Sequence, residues 1–227
     1  MVDYKYIEYL EQFVTEKRRN LFKKVLDKRT RHFTVAIEDL FQPHNSSAVV
    51  RSCEVFGVQD VHIIENKYKF YASRKIAKGA QKWLDFSLYN KLNSNNTLTC
   101  IDELRAKGYK IIATTPHNES CVLQDFDISQ KAAFFFGVEK AGLSKDVLDN
   151  ADGFLQIPMI GFTESLNISV AAAIILQNVQ ERIHNSDISW QLTEKEKEEK
   201  YLDWLEKSIK SIQKIKGNYT SENAIPH

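Results

Sequence analysis

Five polar residues of this chain stand at positions from which a side chain could bind or act on a ligand. They are Asn45, Arg51, Glu139, Ser165 and Asn167. Together they offer a guanidinium group, a carboxylate, a hydroxyl and two amides, a set suited to holding a polar ligand. Taken singly, each also has a structural explanation as a helix cap, a solvent-exposed arginine or a loop acid. The elements that position them decide whether they form a site.

Two strand-to-loop junctions in the second half of the chain would bring several of these residues together. An apolar strand runs into a glycine-containing loop over Phe134–Ser144, which includes Glu139. A second short strand ends at Ile157-Pro158, and Ser165 and Asn167 then open a helix of small residues. Open α/β sheets hold ligands where such junctions lie at the carboxyl edge of the sheet. We therefore expect the chemistry at this edge.

The rest of the chain predicts an α/β fold, because apolar strands alternate with helices. Strands are expected at Phe33–Leu40, Val61–Glu65, Tyr109–Thr114 and Ala132–Phe136. Helices are expected at Ser47–Phe56, Ser73–Lys82 and Cys100–Lys107. Asn45 and Ser46 would cap the first of these helices. Such alternation is typical of a mostly parallel sheet with helices on both faces.

The two ends of the chain are predicted to be helical extensions. Residues Tyr4–Asp27 indicate one or two amphipathic helices, and Lys17–His32 carries eight Lys or Arg against the single acid Asp27. Such a cluster indicates a polyanionic partner, although one charged helix face is more often simply solvated. Residues Thr193–Lys216 place apolar side chains every three or four positions. That stripe must cover a surface, either the N-terminal helix or a second subunit.

Several classes of function lack their sequence signals. The chain has no dinucleotide-binding or P-loop glycine pattern, no nucleophile elbow and no zinc-binding H-E-x-x-H. Cys53, Cys100 and Cys121 show no metal-ligand spacing, so we expect reduced cysteines and no metal. No apolar run is long enough to span a membrane, and the N-terminus lacks the apolar core of a signal peptide. A cytoplasmic location is expected.

Three motifs carry a resemblance to a known family. They are PHNSSAVVRSCEVFGV at 43–58, FFFGVEKAGLS at 134–144 and IPMIGFTESLNISVA at 157–171. In order and spacing, over roughly Phe33–Glu181, they resemble the motifs of the SPOUT-class RNA methyltransferases of the TrmH type. The resemblance implies a homodimer whose C-terminal part is threaded as a deep trefoil knot around S-adenosylmethionine. It also implies methylation of a ribose 2′-hydroxyl in tRNA, with guanosine 18 in the D-loop as the expected nucleotide.

The resemblance assigns residues to two tasks. The cofactor pocket would be lined, largely through backbone groups, by Thr114, Gly137, Ile157 and Leu166. The reactive site would contain Asn45, Arg51, Glu139, Ser165 and Asn167. No metal takes part in the implied chemistry.

Arg51 has the clearest chemical role in the implied reactive site. A ribose 2′-hydroxyl is a poor nucleophile, so the developing alkoxide charge must be stabilised. A guanidinium stays protonated in proteins, so Arg51 would stabilise charge and position a phosphate or ribose rather than remove the proton. The proton acceptor stays open between water, a phosphate oxygen and Glu139. Asn45 and Asn167 would orient the loop and helix starts or contact the substrate, and Ser165 would hydrogen-bond nearby.

An RNA substrate gives the basic segment a role. Its expected phosphate contacts are Arg18, Arg19, Lys23, Lys24, Arg29 and Arg31. The chain then divides into a tRNA-binding extension at 1–32, a methyltransferase domain at 33–185 and a C-terminal helical extension at 186–227.

Three alternatives stay open. The first is the same reaction on ribosomal RNA or on another tRNA ribose; related ribosomal enzymes usually carry a separate N-terminal RNA-binding domain, and the short segment before the first strand favours tRNA. The second is a catalytically silent RNA-binding protein of the same fold. The third is an unrelated nucleotide-binding α/β protein, which would not depend on Arg51.

Overall fold

The chain folds into two compact units. The computed structural model describes residues 3–40, 42–71, 77–116, 120–138 and 141–223. The sheet unit spans Thr30–Trp190, and the helical unit combines both ends of the chain, Met1–Arg29 and Gln191–His227. The division into three segments at residues 32 and 185 stays a prediction.

One parallel sheet organises the sheet unit. Within the described residues its strands are β1 (Phe33–Glu38), β2 (Asp60–Ile64), β3 (Asp85–Tyr89), β4 (Lys110–Thr114), β5 (Cys121–Val122), β6 (Ala132–Phe136) and β7 (Gly153–Gln156). Their order across the sheet is β3-β2-β1-β6-β4-β7-β5. Every adjacent pair is parallel. The predicted mostly parallel sheet is confirmed.

Helices cover both faces of this sheet, as predicted. They are α3 (Pro43–Val55), α4 (Asn96–Ala106), α5 (Lys145–Asn150) and α6 (Ile168–His184). Helices α3 and α6 pack on the face that carries Phe134 and Phe136, and α4 and α5 pack on the face that carries Phe135. Successive residues of a strand point to opposite faces, so this run of phenylalanines supplies both cores. Burial of each such side chain contributes about 1.5–3 kcal/mol.

The start of α3 differs from the prediction. The helix begins at Pro43 with Gln42 as its N-cap, so the prediction that Asn45 and Ser46 cap it is wrong. Proline suits the first helical position because its missing N–H would have no partner there. Asn45 and Ser46 are instead buried inside the first turns, and the Ser46 hydroxyl donates to the Leu40 carbonyl at 3.1 Å.

Two other helix predictions met different outcomes. Asn167 is the N-cap of α6, and its side chain accepts a hydrogen bond from the backbone N–H of Ser169, so this capping role is confirmed. The helix expected over 73–82 falls partly on residues 72–76, which lie outside the described residues. Its last part, Ala80–Lys82, forms one turn of 3-10 helix.

The helical unit contains α1 (Tyr4–Glu11), α2 (Glu16–Leu26), α7 (Glu194–Ser208) and α8 (Ile212–Asn223). The apolar stripe of α7 packs on the N-terminal helices. The rings of Trp204 and Phe22 lie 5.7 Å apart, and the Tyr201 hydroxyl donates to Glu11 at 2.6 Å. Of the two surfaces that the stripe could cover, the structure shows the N-terminal helices.

Membrane and metal binding find no support in the part of the chain that the structure describes. No described helix is both long and apolar enough to cross a membrane. No group of three or more described His, Cys, Asp or Glu residues could hold a metal ion. Cys53, Cys100 and Cys121 are free thiols, and the first two are buried.

Candidate functional site

A cavity opens at the carboxyl ends of β4, β6 and β7, which lie together because the strands are parallel. We call it the strand-end cavity. Its lining includes Thr114, Gly137, Leu143, Ile157, Ser165 and Leu166. All four residues predicted to bind the cofactor, and one predicted reactive residue, therefore surround a single space.

The strand-end cavity is only partly enclosed. Its volume is about 130 Å³, whereas small-molecule sites usually measure about 300–1,000 Å³. The loop after β7 forms one side, and its apolar residues Ile160 and Phe162 are fully exposed. Fuller enclosure therefore requires this loop to move or a further surface to cover it.

The loop after β6 forms another wall and requires glycine at two positions. Val138 and Gly142 exchange backbone hydrogen bonds of 3.1 and 2.8 Å, which close the loop. A Cβ atom at Gly137 would lie 2.1 Å from the Gly142 carbonyl oxygen, far inside van der Waals contact. Gly142 has φ +69°, a conformation that side chains disfavour. Glycine at these positions thus lets the two arms of the loop lie directly against each other.

The end of β4 is fixed to both neighbouring strands. The Thr114 hydroxyl donates to the Phe135 carbonyl at 2.6 Å, and the Thr115 N–H donates to the Leu155 carbonyl at 3.0 Å. These bonds hold the three strand ends in register, so the cavity floor is built on rigid elements.

The starts of α3 and α6 meet through two of the predicted reactive residues. The side-chain amide of Asn167 donates to Oδ1 of Asn45 at 3.1 Å. The amide of Asn45 donates in turn to Oε1 of Gln42 at 2.7 Å. Oδ1 of Asn167 accepts from the backbone N–H of Ser169, so one amide both caps α6 and joins it to α3.

Arg51 lies on the same helix as Asn45, in its middle turns. Arg51 is exposed on α3 and is not among the residues that line the strand-end cavity. The same helix exposes 61% of Val55, and α6, which packs against α3, exposes 45% of Val170 and 38% of Ile174. Arg51 lies one helical turn before the exposed Val55, so the two side chains share a face of α3. Glu139 lies outside the described residues.

Glu38 is a site residue that the sequence analysis missed. It ends β1 and is 3% exposed, and its carboxylate accepts hydrogen bonds from the Thr97 hydroxyl at 2.6 Å and from the Ser144 hydroxyl and N–H at 2.7 and 2.8 Å. Glu38 thereby anchors the far end of the loop after β6. The available signal was an acid that follows five residues of a buried strand directly.

The basic residues predicted to contact RNA fall into two groups. Arg18, Lys23 and Lys24 are exposed on α2. Arg19 forms an ion pair with Glu11 at 3.1 Å. The other two are less accessible.

Arg29 and Arg31 have structural partners. Arg29 is 1% exposed and its guanidinium lies over the Trp204 ring. Its contact with an RNA phosphate stays a prediction. Arg31 forms ion pairs with Asp60 at 3.0 Å and with Asp85 at 2.9 Å. Desolvation raises the pKa of Asp60, and the charge of Arg31 opposes that rise. Both arginines thus interact with other side chains of the protein, Arg29 with an aromatic ring and Arg31 with two carboxylates.

Comparison with known proteins identifies the family. Residues 32–177, more than half of the chain, match the sequence model of the SpoU rRNA Methylase family. The chain belongs to the SpoU rRNA Methylase family. The SpoU match begins one residue before β1 and ends inside α6, so it covers all the elements that build the strand-end cavity.

Relatives within the SpoU family extend the likeness to nearly the whole chain. The tRNA (guanosine(18)-2′-O)-methyltransferase of Borreliella burgdorferi is 38% identical over 211 residues, which cover 93% of this chain and 94% of that protein. The protein of the same name from Thermus thermophilus is 33% identical over 73% of this chain and 83% of its own length. The predicted relationship to TrmH-type enzymes is confirmed.

Solved SpoU structures share the fold. The A. aeolicus TrmH/SpoU tRNA modifying enzyme aligns with a TM-score of 0.70 at 28% identity and covers 93% of this chain and 98% of its own. AviRb from Streptomyces viridochromogenes, in complex with AdoMet, aligns with a TM-score of 0.60 over 72% of this chain and 65% of its own. At 22% identity the AviRb likeness concerns the fold alone. The trefoil threading stays a prediction.

Proposed function

We propose that this protein transfers a methyl group from S-adenosylmethionine to the 2′-hydroxyl of a ribose in tRNA, at guanosine 18 of the D-loop. Family membership and the 38% identical relative of that activity support the reaction class and the substrate. One observation carries the proposal on the structural side. The four residues assigned to the cofactor from the sequence motifs all line one cavity at the carboxyl edge of the sheet.

The strand-end cavity fits the methyl donor in chemistry. Its walls combine aliphatic side chains such as Leu143 and Ile157 with the backbone of loops that follow β6 and β7. Such walls suit an adenine ring, which needs apolar faces and hydrogen bonds at its edge. Gly137 lets the loop after β6 fold back tightly onto Gly142 and so fixes the shape of this wall. When bound, S-adenosylmethionine supplies an electrophilic methyl group on a sulfonium.

Arg51 is proposed to stabilise the negative charge that develops on the 2′-oxygen. Its guanidinium is exposed and no described residue is seen to form a hydrogen bond or ion pair with it, so it can receive a phosphate or a ribose oxygen. Asn45 and Asn167 would hold the two helix starts beside the reacting ribose, and Ser165 would contact it from the loop after β7. Glu139 stays one of three proposed proton acceptors, with water and a phosphate oxygen.

A homodimer is proposed because one chain leaves both Arg51 and an apolar surface uncovered. Val55, Val170 and Ile174 are exposed on two packed helices, and the loop after β7 exposes Ile160 and Phe162 completely. A second copy that packs on this surface would cover it and would cover the open side of the strand-end cavity. The reaction site would then be completed at the dimer interface. The trefoil threading around the cofactor is part of the same proposal.

The helical unit is proposed to bind tRNA through α2. Arg18, Lys23 and Lys24 are exposed there, and phosphate contacts of this kind position RNA without reading its sequence. The proposed domain roles are tRNA binding for residues 1–32, methyl transfer for 33–185 and helical support for 186–227. A cytoplasmic location is proposed from the tRNA substrate.

One assay tests the proposed reaction. The purified full-length chain is incubated with radiolabelled S-adenosylmethionine and either unmodified tRNA or ribosomal RNA, and the labelled nucleotide is mapped. Label at the 2′-oxygen of guanosine 18 is expected. Label in ribosomal RNA or at another tRNA ribose would replace the substrate, and cofactor binding without transfer to any RNA would indicate a silent RNA-binding protein.

A further inference from the structure

A second, larger space lies beside the strand-end cavity, at the carboxyl ends of β1 and β2. We call it the polar cleft; its volume is about 860 Å³. Its lining includes Asp39, Asn45, Asn66, Tyr68, Asn95 and Asp146. The cleft and the strand-end cavity share Val138, Gly142 and Leu143 as wall residues. Ligands in the two spaces would therefore be neighbours.

The side chains of the polar cleft suit a nucleobase better than a phosphate. Glu38, Asp39 and Asp146 place three carboxylates around the cleft, against the single lysine Lys67 among its described lining residues. A phosphate would be repelled by this excess of acids. A neutral base instead needs acceptors and donors at its edge and an aromatic face to stack on. The ring of Tyr68 supplies the face. The side-chain amides of Asn66 and Asn95 already bond within the protein, to Thr97 and to Asp146, so the acceptor has to come from another residue.

Asp39 is held in an unusual conformation that leaves one carboxylate oxygen for a ligand. Its φ is +52°, a region that residues other than glycine adopt with strain. Oδ1 accepts hydrogen bonds from the backbone N–H groups of Asn66, Lys67 and Tyr68 at 2.8, 2.7 and 3.2 Å. Among the described residues none donates to Oδ2. Asp39 thus clamps one loop and still presents an acceptor at the polar cleft.

The clamped loop brings an aromatic ring to the cleft. Tyr68 is 48% exposed and its backbone N–H is fixed by Asp39. A ring in that position adds base stacking, which contributes about 1–3 kcal/mol per base in single-stranded RNA recognition.

We propose that the polar cleft binds the base of the target nucleotide, that Asp39 Oδ2 accepts from the N1–H or N2 amino group of guanine, and that Tyr68 stacks on the ring. This inference rests on the proposed function for the choice of guanine. Adenine offers an acceptor at N1 in place of the N1–H donor, so the carboxylate selects against it. Asn45, at the border of the cleft, would face the ribose.

The substitution Asp39→Asn isolates the base contact. The amide oxygen can still accept from the loop N–H groups, but the amide N–H₂ replaces the acceptor that guanine needs. We expect the affinity for unmodified tRNA with G18 to fall about 10-fold or more, and the preference for G18 over an A18 transcript to be lost. Binding is measured without S-adenosylmethionine, and kcat/KM is measured with it. Thermal unfolding and S-adenosylmethionine affinity should not change.

Tyr68 provides an independent test. Tyr68→Ala should raise KM for tRNA about 10-fold or more, while Tyr68→Phe keeps the ring and should behave as the wild type. Tyr71→Ala is the matched control, since Tyr71 is 62% exposed in the same segment but does not line the cleft. Equal losses for the Tyr68→Ala and Tyr71→Ala variants would overturn the stacking role.

The two proposals fail in different ways. Label at a nucleotide other than guanosine 18 in the wild type would contradict the proposed function. Unchanged discrimination between G18 and A18 by the Asp39→Asn variant, both in binding and in turnover, would overturn the base contact even if guanosine 18 is methylated. If the wild type methylates no RNA, the binding comparison still decides the inference.

Discussion

Asn167 and Asn45, which are 122 residues apart in the chain, join the first turns of α6 and α3 through a side-chain hydrogen bond of 3.1 Å. Each amide has a second partner, so neither can turn without breaking another bond. Since the two helices carry residues from two separate sequence motifs, this bond fixes the position of one motif relative to the other. It is a direct contact between two of the predicted reactive residues.

Two substitutions at Asn167 separate its capping role from its contact with Asn45. Asn167→Asp keeps an oxygen for the Ser169 N–H but cannot donate to Asn45, so stability should hold while turnover falls about 10-fold or more. Asn167→Ala removes both, and should also lower the free energy of unfolding by about 1 kcal/mol. Urea unfolding and methyl transfer measure the two effects. Full turnover by the Asn167→Asp variant would show that the bond to Asn45 has no role in the reaction.

Gly137→Ala should disrupt cofactor binding. The added Cβ atom would lie 2.1 Å from the Gly142 carbonyl oxygen and 2.6 Å from the Leu143 nitrogen, so the loop after β6 must shift. We expect the S-adenosylmethionine dissociation constant, measured by calorimetry, to rise about 10-fold or more. Gly161→Ala is the matched control, because a Cβ atom there meets no atom within 4 Å. Equal affinity in both variants would contradict the proposed role of the loop.

In the proposed homodimer, Arg51 should act on the strand-end cavity of the other subunit. Arg51→Ala and Gly137→Ala homodimers are each expected to be nearly inactive. If the two variants assemble with each other at random, roughly one quarter of all reaction sites should combine an intact Arg51 from one subunit with an intact cavity from the other. Co-expression with two affinity tags and assay of the heterodimer measures the recovery. No recovery in a purified heterodimer would place Arg51 and the cavity of one chain in the same reaction site.

Neutralising Arg18, Lys23 and Lys24 together should weaken tRNA binding. Each lost phosphate contact should reduce the slope of log affinity against log salt by about 1. Filter binding at several salt concentrations measures the slope, with S-adenosylmethionine affinity as a check on folding. The control variant neutralises three exposed lysines of the sheet unit: Lys91, Lys107 and Lys145. Equal slopes for the two triple variants would exclude α2 as the RNA-binding surface.

Acid should destabilise the protein through His62. Burial lowers the pKa of His62 from 6.5 to about 4, and its Nδ1 lies 3.1 Å from the Tyr89 hydroxyl. Between those pH values the unfolded chain binds a proton that the folded chain does not, so the free energy of unfolding falls by up to about 1.4 kcal/mol per pH unit. His62→Gln should flatten the pH dependence measured by urea unfolding. A residual slope is expected from His32, whose pKa burial also lowers.

The sequence predicted the central strands but not the edge of the sheet. β1, β2, β4 and β6 are mostly apolar, because a parallel strand is buried on both faces. β3 is an edge strand in which Phe86 and Leu88 are 38% and 54% exposed, so the pattern that marks a buried strand is absent. The placement of β6 between β1 and β4 depends on packing between distant segments, and no local pattern encodes it.

The sequence predicted the site residues that belong to recognisable motifs. It did not predict residues whose role depends on contacts between distant parts of the chain. Thr114, Gly137 and Ile157 come from three segments, and their meeting in one cavity follows from parallel strands that end at the same edge. Glu38 acquires its role only because Ser144, 106 residues later, folds back onto it. Asn45 was expected as a helix cap. Because the helix begins earlier, at Pro43, Asn45 lies inside the helix, and its side-chain oxygen accepts a hydrogen bond from Asn167.

The hydrogen bond of 2.6 Å from the Thr30 hydroxyl to the Trp190 carbonyl joins the two ends of the sheet unit. The sheet unit is therefore an insertion between the two halves of the helical unit. During synthesis on the ribosome, the apolar side chains of Leu10 and Phe22 therefore stay exposed until the helix that carries Trp204 has been made. The whole sheet can fold in that interval. The methyltransferase domain is therefore expected to fold before the basic N-terminal helices pack with the C-terminal helix.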